Sequence, residues 1–188
     1  MINMILAVDD NGSIGFKNGL PWPKLTEDLK WFKQLTDKNV VVMGSTTWKS
    51  LGIHAPLTSR FNYVISSSHN KNDFSGCYGV RNPSQDSIEL ILTSLDFNHP
   101  GRDVFVIGGK TLYDEAYKYC EAIFLTRVHD IYQSDTKVDI DLYIDDYVLL
   151  DKMNSKGDQH TPDVTFETYL RTNDEKDEEI EWEDDIPF

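Results

Sequence analysis

The chain has 188 residues, 39% of them hydrophobic, which is enough for one domain with a substantial core. Its formal net charge of -14 argues against general binding to nucleic acid or to anionic membranes. No apolar stretch approaches the roughly 20 residues that a membrane helix needs. The two cysteines, Cys77 and Cys120, have neither CxxC spacing nor nearby histidines. We therefore expect no metal site, no disulfide framework and a reducing, cytoplasmic environment.

The first 128 residues alternate buried strands with helices. Met1–Val8 is an apolar run with one Asn, typical of a strand buried on both faces, and the glycine-containing segment Asp9–Gly19 predicts a loop. Thr26 is predicted to be the N-cap of a helix over Glu27–Leu35. Further strands are predicted at 39–43, 61–66, 103–107 and 121–128, and further helices at 84–95 and 108–119.

The end of the chain has a different pattern. Tyr147–Met153 and Asp163–Arg171 are β-prone runs joined by a loop containing Gly and Asn, which predicts a terminal hairpin. The whole pattern predicts an α/β fold with a mainly parallel sheet and an antiparallel pair at its end. Residues 171–188 contain nine acidic and two basic residues, a composition typical of disordered segments. We therefore expect one domain over residues 1–170 and an acidic tail over 171–188.

Asp28 is the most unusual polar residue, because its spacing places it on one helix face with Phe32 and Leu35. If that face is buried, the carboxylate lies in an apolar setting, and the helix N-terminus helps to keep it ionised. Such a group can bind an amidine-like ligand through two parallel hydrogen bonds. The alternative is an exposed first-turn acid that supports the helix dipole, and spacing alone does not decide between them.

Three further stretches could contact an anionic ligand. In VFVIGGKTLYDEA, Gly108 and Gly109 follow a buried strand and open a helix whose N–H groups could face a phosphate. In VVVMGSTTWKS, Gly44 is followed by the hydroxyl residues Ser45–Thr47, which could cap a helix or meet a phosphate. Neither is a G-x-G-x-x-G fingerprint, and a packing turn or a cap would explain each. Arg60 could be a solvated charge or a bidentate clamp for a carboxylate.

Together these motifs resemble those of the dihydrofolate reductases. The resemblance covers about residues 1–170 and rests on an ordered set, namely ILAVDDNGSIGFKNGLPW, EDLKWFK, VVMGSTTWKSLG, PLTSR, VIGGKTLY, IFLTRV and SDT at 134–136. It implies a dihydrofolate-reductase-like α/β fold, with a mainly parallel central sheet of about eight strands, flanking helices and an antiparallel C-terminal strand. It also implies a monomer that reduces 7,8-dihydrofolate to 5,6,7,8-tetrahydrofolate with NADPH, in support of thymidylate and one-carbon metabolism. Antifolates such as trimethoprim or methotrexate would be ligands.

The resemblance implies a role for each matching residue. Asp28 would hold the pterin ring, Trp22 would support a water near the carboxylate, and Thr126 would join this network. The substrate would also meet Ile5, Ala7, Phe32, Leu51, Leu57, Ile107 and Arg60, the last through its glutamate α-carboxylate. The cofactor would meet Ala7, Ile14, Leu20, Gly44, Ser45, Thr46, Thr47, Ser67, Arg81, Ile107, Gly108, Gly109, Lys110, Thr111 and Tyr113. The loop Asp9–Leu25 would be a mobile lid, hydrogen-bonded to Asp135.

The implied chemistry is hydride transfer to C6 of the pterin with protonation of N5. No side chain in the set could protonate N5 directly, so Asp28 would polarise the ring while a water delivers the proton. The lid would exclude bulk water.

One departure from the family pattern concerns the cofactor. Many members carry an Arg directly after the glycine of VxMG, where it recognises the 2′-phosphate of NADPH, and this chain has Ser45. Arg81, Lys49 or Lys110 could supply the positive charge instead.

Two alternative functions remain open at this stage. One is a reductase of the same fold that acts on a pyrimidine intermediate of riboflavin synthesis, which would not need Asp28 and Phe32 together with Arg60. The other is a non-catalytic module kept for its tail, and the intact Asp28, Trp22 and Arg60 argue against it.

The segment WEDDIPF resembles the C-terminal tip of bacterial single-stranded DNA-binding proteins, an acidic run followed by Ile-Pro-Phe. The resemblance implies docking on replication and repair proteins that recognise such tips, with Phe188 in a hydrophobic pocket. An acidic solubilising tail is the alternative, but charge does not account for Trp182, Ile186 and Phe188. Such a tip would fit a replication-associated phage enzyme.

Overall fold

The computed structural model describes residues 1–68 and 70–172. The predictions made for the acidic tail after residue 172 lie outside the described residues. Its strands are β1 (Ile2–Asp9), β2 (Ser13–Gly15), β3 (Val40–Gly44), β4 (Phe61–Ile65), β5 (Gly79–Arg81), β6 (Val104–Val106), β7 (Ala122–Val128), β8 (Thr136–Lys137), β9 (Tyr147–Ser155) and β10 (Val164–Arg171). Its α-helices are α1 (Thr26–Thr36), α2 (Ser45–Leu51), α3 (Ile88–Asn98), α4 (Lys110–Ala116) and α5 (Ile140–Ile144). Short 3-10 helices cover Gly52–His54, Lys71–Asp73 and Tyr117–Tyr119.

The centre of the fold is an eight-stranded sheet in the order β5-β4-β3-β6-β1-β7-β10-β9. The pairs from β5 through to β7 are parallel, and β10 is antiparallel to both β7 and β9. The predicted α/β fold, with a mainly parallel sheet of about eight strands and an antiparallel C-terminal pair, is confirmed. None of the described helices is long and apolar enough to cross a membrane.

The core explains why β1 reads as an almost continuous apolar run. It lies between β6 and β7, and alternate side chains point to opposite faces of the sheet. Met4 and Leu6 pack on one face with Leu92 of α3. Ile5 packs on the other face with Phe105 and its neighbours. A strand covered on both faces needs apolar residues at every position, as the sequence predicted.

The start of α1 differs from the prediction. Thr26 is the first helical residue, whereas Leu25 occupies the N-cap position, and no side chain caps this end. Leu25 is buried in a cluster with Trp22 and Val128, so tertiary packing rather than a hydroxyl cap sets the helix start. The helix predicted from residue 84 begins later, at Ile88, where the preceding serine accepts a hydrogen bond from a backbone N–H of the first turn.

Among the strands and α-helices of the described residues, four short elements were not predicted, namely β2, β5, β8 and α5. β2 and β8 form a separate antiparallel pair between segments about 120 residues apart in the chain. Elements of two to five residues are too short for hydrophobic periodicity to distinguish them from loops, so only the folded structure reveals them.

Glu167 on β10 is a buried carboxylate, 3% exposed, on the C-terminal hairpin. Its Oε2 accepts hydrogen bonds from Arg127 Nε at 2.7 Å and Tyr169 Oη at 2.9 Å. Lys152 Nζ lies 3.2 Å from Oε1. Burial by itself raises the pKa of Glu167, but the bonds from Arg127 and Tyr169 outweigh it, and the pKa is lowered. The carboxylate is therefore ionised in the folded state and ties β7, β9 and β10 together.

We expect Glu167→Gln to lower the free energy of unfolding at pH 7 by about 1–3 kcal/mol, because it leaves Arg127 without its charged partner. The folded-state pKa lies below the unfolded value of about 4.3, so the stabilisation is present above that pH. It is lost as the pH falls through the folded pKa. Urea denaturation at pH 7 and pH 3 measures both effects.

The matched control is Glu27→Gln, which removes an exposed pair with Lys30 and should change stability by less than about 0.5 kcal/mol. Equal stability of wild type and Glu167→Gln at pH 7 would contradict the assignment. A difference that stays constant down to pH 3 would contradict it too.

Candidate active site

A cleft of about 940 Å³ opens at the carboxyl ends of the parallel strands. It lies where β1, β3, β4 and β6 end, the position at which open parallel sheets bind ligands. Its volume is at the upper end of the roughly 300–1,000 Å³ typical of small-molecule sites. The cleft therefore has room for an extended ligand or for two ligands side by side.

Most of the residues singled out in the sequence line this one cleft. They are Ile5, Ala7, Ile14, Leu20, Asp28, Phe32, Gly44, Ser45, Thr46, Thr47, Leu51, Ser67, Ile107, Gly108, Gly109, Lys110, Thr111 and Tyr113. Six others are absent from its lining: Trp22, Lys49, Leu57, Arg60, Arg81 and Thr126. Of these, Thr126 lies behind Asp28, and Leu57 packs in the same apolar cluster as Phe32 and Leu51.

Asp28 lies in the first turn of α1, half-buried, and faces the cleft. The buried-face interpretation is therefore the correct one, and Phe32 and Leu35 pack from the same helix against the apolar cluster under the sheet. Thr126 Oγ1 donates a hydrogen bond to Asp28 Oδ1 at 2.7 Å. Burial raises the pKa of Asp28, and the bond from Thr126 only partly opposes it. Proximity to the helix N-terminus does not keep this pKa at its ordinary value.

Trp22 belongs to the loop Asp9–Leu25 and lies between β2 and α1. Its indole is 6% exposed and packs edge-on against Tyr132, with ring centroids 6.2 Å apart. Its Nε1 is buried and has no hydrogen-bond partner among residues 1–68 and 70–172. An indole N–H normally finds a partner when it is buried, so this donor remains available to a water or a ligand.

Tyr113 fixes one backbone acceptor at the cleft floor. Its hydroxyl donates to the carbonyl oxygen of Ile5 at 2.9 Å. Burial raises the pKa of Tyr113, and the nearby charge of Asp28 raises it further, so the phenol stays protonated. One lone pair of the Ile5 carbonyl is thereby occupied, and the other is left for a donor in the cleft.

Glycines bring the backbones of two strand ends close together. Gly44 N donates to Gly108 O at 2.7 Å, and the Gly108–Gly109 peptide bond is cis. Gly108 has φ +126°, and a Cβ there would lie 3.2 Å from Thr47 Oγ1 and 3.4 Å from Tyr113 Oη. A Cβ at Gly109 would also lie 3.2 Å from Thr47 Oγ1. Any side chain larger than that of glycine would therefore fill the space in which a ligand can approach the backbone of the cleft wall.

The loop after β1 closes one side of the cleft. The prediction that Asp135 hydrogen-bonds to this loop is confirmed, because its Oδ2 accepts from Lys17 N at 2.8 Å. Asp135 N in turn donates to Gly15 O at 3.1 Å. The pairing of β2 with β8 holds the same segment, so the loop is fixed at its middle.

Several lining residues were not identified from the sequence. They include Leu29, Ser50, His54, Ile65, Ser66, Ser68 and Pro83. Leu29 follows Asp28 on the same helix, and the serine run after β4 ends a parallel strand beside β3. The rule that ligands meet the carboxyl ends of parallel strands could have indicated these serines, whereas His54 depends on how its loop folds back.

Comparison with known proteins agrees with this geometry. The sequence model of one protein family, described as dihydrofolate reductase, matches residues 1–171. A dihydrofolate reductase of Buchnera aphidicola is 33% identical over 177 residues, covering 90% of this chain and 99% of the relative. The type 9 dihydrofolate reductase of Escherichia coli is 37% identical over 145 residues, 76% of this chain and 78% of that protein.

A solved structure is similar over nearly the same length. It is a dihydrofolate reductase from Enterococcus faecalis complexed with NADP(H) and RAB-propyl. Its TM-score is 0.79 and its identity 28%, over 92% of this chain and 97% of that chain. The sheet order, the cleft at the strand ends and these matches lead to one conclusion: the chain belongs to the dihydrofolate reductase family.

Proposed function

We propose that the protein reduces 7,8-dihydrofolate to 5,6,7,8-tetrahydrofolate with NADPH. The observation that carries the proposal is the half-buried carboxylate of Asp28, which faces the cleft and, among the described residues, is bonded only to the neutral hydroxyl of Thr126. A carboxylate without a cationic partner is suited to a ligand that offers two N–H donors. Antifolates that present such donors would enter the same site.

The substrate pocket is formed by residues of β1 and α1. Asp28 would bind the N3 and 2-amino edge of the pterin, and the Ile5 carbonyl, fixed by Tyr113, would accept from the opposite edge of the ring. Ala7 and Phe32 would pack on the ring and on the benzoyl group, with Leu51, Leu57 and Ile107 completing the apolar walls. Desolvation in this pocket strengthens each polar contact.

The cofactor side of the cleft fits a dinucleotide. The glycine approach at Gly44 and Gly108–Gly109 leaves room for phosphates, and the neighbouring Thr47 and Lys110 offer a hydroxyl and an ammonium group. NADPH, when bound, supplies the hydride. The complex of the Enterococcus faecalis enzyme with NADP(H) supports this assignment. Further contacts are proposed for Ile14, Leu20, Ser45, Thr46, Ser67, Thr111 and Tyr113.

Proton delivery would depend on the carboxylate without direct transfer from it. Asp28 bonds to the pyrimidine edge of the pterin and polarises the ring, so that N5 becomes more basic. The buried N–H of Trp22 is available to hold a water near that network. The loop held by Asp135 would exclude bulk solvent while the ring reacts.

We expect Asp28→Asn to lower kcat at pH 7 by about 10²-fold or more, because it removes the charge that polarises the pterin while keeping the shape. The oxidation of NADPH by dihydrofolate, followed by absorbance, measures the rate. The raised pKa shows that the charge destabilises the fold above that pKa. The variant should therefore be at least as stable as wild type in urea at pH 7.

Asp135→Asn is a control for amide substitution on the other side of the cleft, and it should retain more activity than Asp28→Asn. Near-normal turnover of Asp28→Asn would overturn the role of the carboxylate. Absence of dihydrofolate reduction by the wild-type chain would overturn the proposed function itself.

We infer that Arg81 provides the positive charge for the 2′-phosphate of NADPH, because Ser45 stands where many family members carry an Arg. Its backbone carbonyl accepts from Ser66 N at 3.0 Å, next to the serine run that lines the cleft, and its guanidinium stacks over Tyr63 at 5.1 Å. Lys110 lines the cleft, but its Nζ already pairs with Asp114 at 2.9 Å. Arg81 and Lys49 both lie outside the cleft lining, and we assign the 2′-phosphate contact to Arg81 because it adjoins the serine run.

The ratio of kcat/KM for NADPH over NADH should exceed one in the wild-type protein and should fall several-fold in Arg81→Gln, through loss of a charge-assisted contact. Arg102→Gln is the matched control, because Arg102 also stacks on an aromatic ring, at 4.7 Å from Phe61, without adjoining the serine run. A wild-type ratio at or below one would reject the preference. An unchanged ratio in Arg81→Gln would reject this residue.

We further propose that the acidic tail docks on proteins that recognise the tips of single-stranded DNA-binding proteins. The support is compositional: Trp182, Ile186 and Phe188 stand in a run of acids, where a solubilising segment needs none of them. The acids would steer the segment to basic surfaces, and Phe188 would supply the apolar anchor. Because the peptide would lose conformational entropy on binding, affinity should be modest, roughly micromolar.

Deletion of Ile186–Phe188 should abolish binding to such a partner, measured by calorimetry with the full-length chain, and should leave the reductase rate unchanged. A WEDDIPF peptide should compete. The deletion removes no charged side chain, so the control Asp177→Asn, which removes one negative charge but keeps the tip, tests whether acidity alone matters. Binding that survives both the deletion and Phe188→Ala would show that the tail acts only through its acidity.

A further inference from the structure

We propose that Thr36 is a positioning residue that holds the Arg60 guanidinium in place for the carboxylate of the substrate. The inference rests on the proposed function and adds a residue that no sequence motif indicated. Thr36 is the last residue of α1, the helix that carries Asp28 and Phe32.

The guanidinium of Arg60 is held on three sides. Its Nε donates to Thr36 Oγ1 at 2.8 Å, and its Nη1 donates to the carbonyl oxygen of Thr58 at 2.9 Å. Its central carbon lies 5.7 Å from the ring centroid of Phe32. A long side chain that would otherwise lose rotamer entropy on binding is thereby ordered before the ligand arrives.

Among the described residues, Arg60 keeps N–H donors that can bind an anion. A guanidinium has five N–H donors, and two of them have partners among the described residues. No carboxylate in that part of the chain lies within 4.0 Å of its nitrogens. Asp37, the acid whose charge acts on the Arg60 guanidinium, accepts a hydrogen bond from the Ser59 hydroxyl. Nη2 is therefore left to bind a carboxylate together with Nη1.

Thr36 is fully buried and hydrogen-bonded to its own helix, which makes it an effective anchor. It is 0% exposed, and its hydroxyl donates to the Phe32 carbonyl oxygen at 2.7 Å. Because the single O–H is directed along the helix, the oxygen can serve Arg60 only as an acceptor. The acceptor position is then set by the helix backbone and by the restricted χ1 of a β-branched residue.

One helix consequently places both recognition groups for the substrate. Asp28 and Thr36 are eight residues apart, which corresponds to about 12 Å along the axis of α1. Asp28 would meet the pterin directly, and Thr36 would fix the distant carboxylate clamp through Arg60. Phe32, halfway between them, lies under the guanidinium and lines the cleft. The length of α1 thereby sets the distance between the two ends of the site.

The test is Thr36→Val, which keeps the shape of the side chain and removes the acceptor. With dihydrofolate, KM should rise about 10-fold, the lower end of the cost of losing a hydrogen bond to a charged group, and kcat should change less than about twofold. With 7,8-dihydropteroate, which has the same pterin and benzoyl groups but no glutamate, KM should change much less. Thr36→Ser keeps the hydroxyl and should restore most of the affinity for dihydrofolate.

Two further variants separate positioning from general damage to the fold. Thr93→Val removes the same type of bond to a helix carbonyl, here Glu89 O, from an exposed site on α3, and should leave both KM values unchanged. Arg60→Leu should raise KM for dihydrofolate more than Thr36→Val does, and adding Thr36→Val to Arg60→Leu should have no further effect on KM. A Thr36→Val protein with normal KM for dihydrofolate would overturn the inference. An equal rise in KM for both substrates, or an additive effect in the double variant, would overturn it too. In each of these cases the proposed function would stand as long as the wild-type protein reduces dihydrofolate.

Discussion

The hydrogen bond from the Thr126 hydroxyl to the Asp28 carboxylate is the contact around which the cleft is arranged. It joins the first turn of α1 to β7 across the wall of the cleft. A neutral hydroxyl is a weak partner for a half-buried charge. The raised pKa of Asp28 reflects the free-energy cost of desolvating the carboxylate that this hydrogen bond does not offset. A carboxylate kept in this state is available to a ligand in a way that an ion-paired one is not.

The two faces of β7 show how the partner decides the behaviour of a buried acid. Adjacent residues of a strand point to opposite faces, so Thr126 meets Asp28 while Arg127 meets Glu167. Both carboxylates lose solvation, yet the pKa of Asp28 is raised and that of Glu167 is lowered. The difference follows from the cation, because a guanidinium repays the desolvation that a hydroxyl cannot. One acid stabilises the hairpin, and the other is left for chemistry.

The opposite wall of the cleft depends on close backbone approach. The bond between Gly44 N and Gly108 O brings the ends of β3 and β6 together, and the space that side chains would occupy is left empty. Around this wall the residues are small or hydroxylated, whereas the α1 side is apolar apart from its carboxylate. The asymmetry gives the cleft one end suited to phosphates and another suited to a flat heterocycle.

The sequence by itself determined which apolar runs form the buried strands. It also determined the antiparallel hairpin at the end of the fold and the identity of most cleft residues. Long apolar runs and glycine turns are local signals, and the spacing of Asp28, Phe32 and Leu35 places them on one helix face wherever that helix packs. Tertiary structure decided that this face is the buried one, and with it the direction of the pKa shift of Asp28.

Tertiary structure also decided features of the fold that no local sequence pattern contains. The burial of Leu25 moved the start of α1 by one residue from the cap expected at Thr26, and the pairing of β2 with β8 joined segments with no periodicity of their own. Thr36 reads in the sequence as an ordinary helix end, because its partner Arg60 lies 24 residues away. Contacts of that kind depend on which elements pack together, so the sequence names the residues and only the fold assigns their partners.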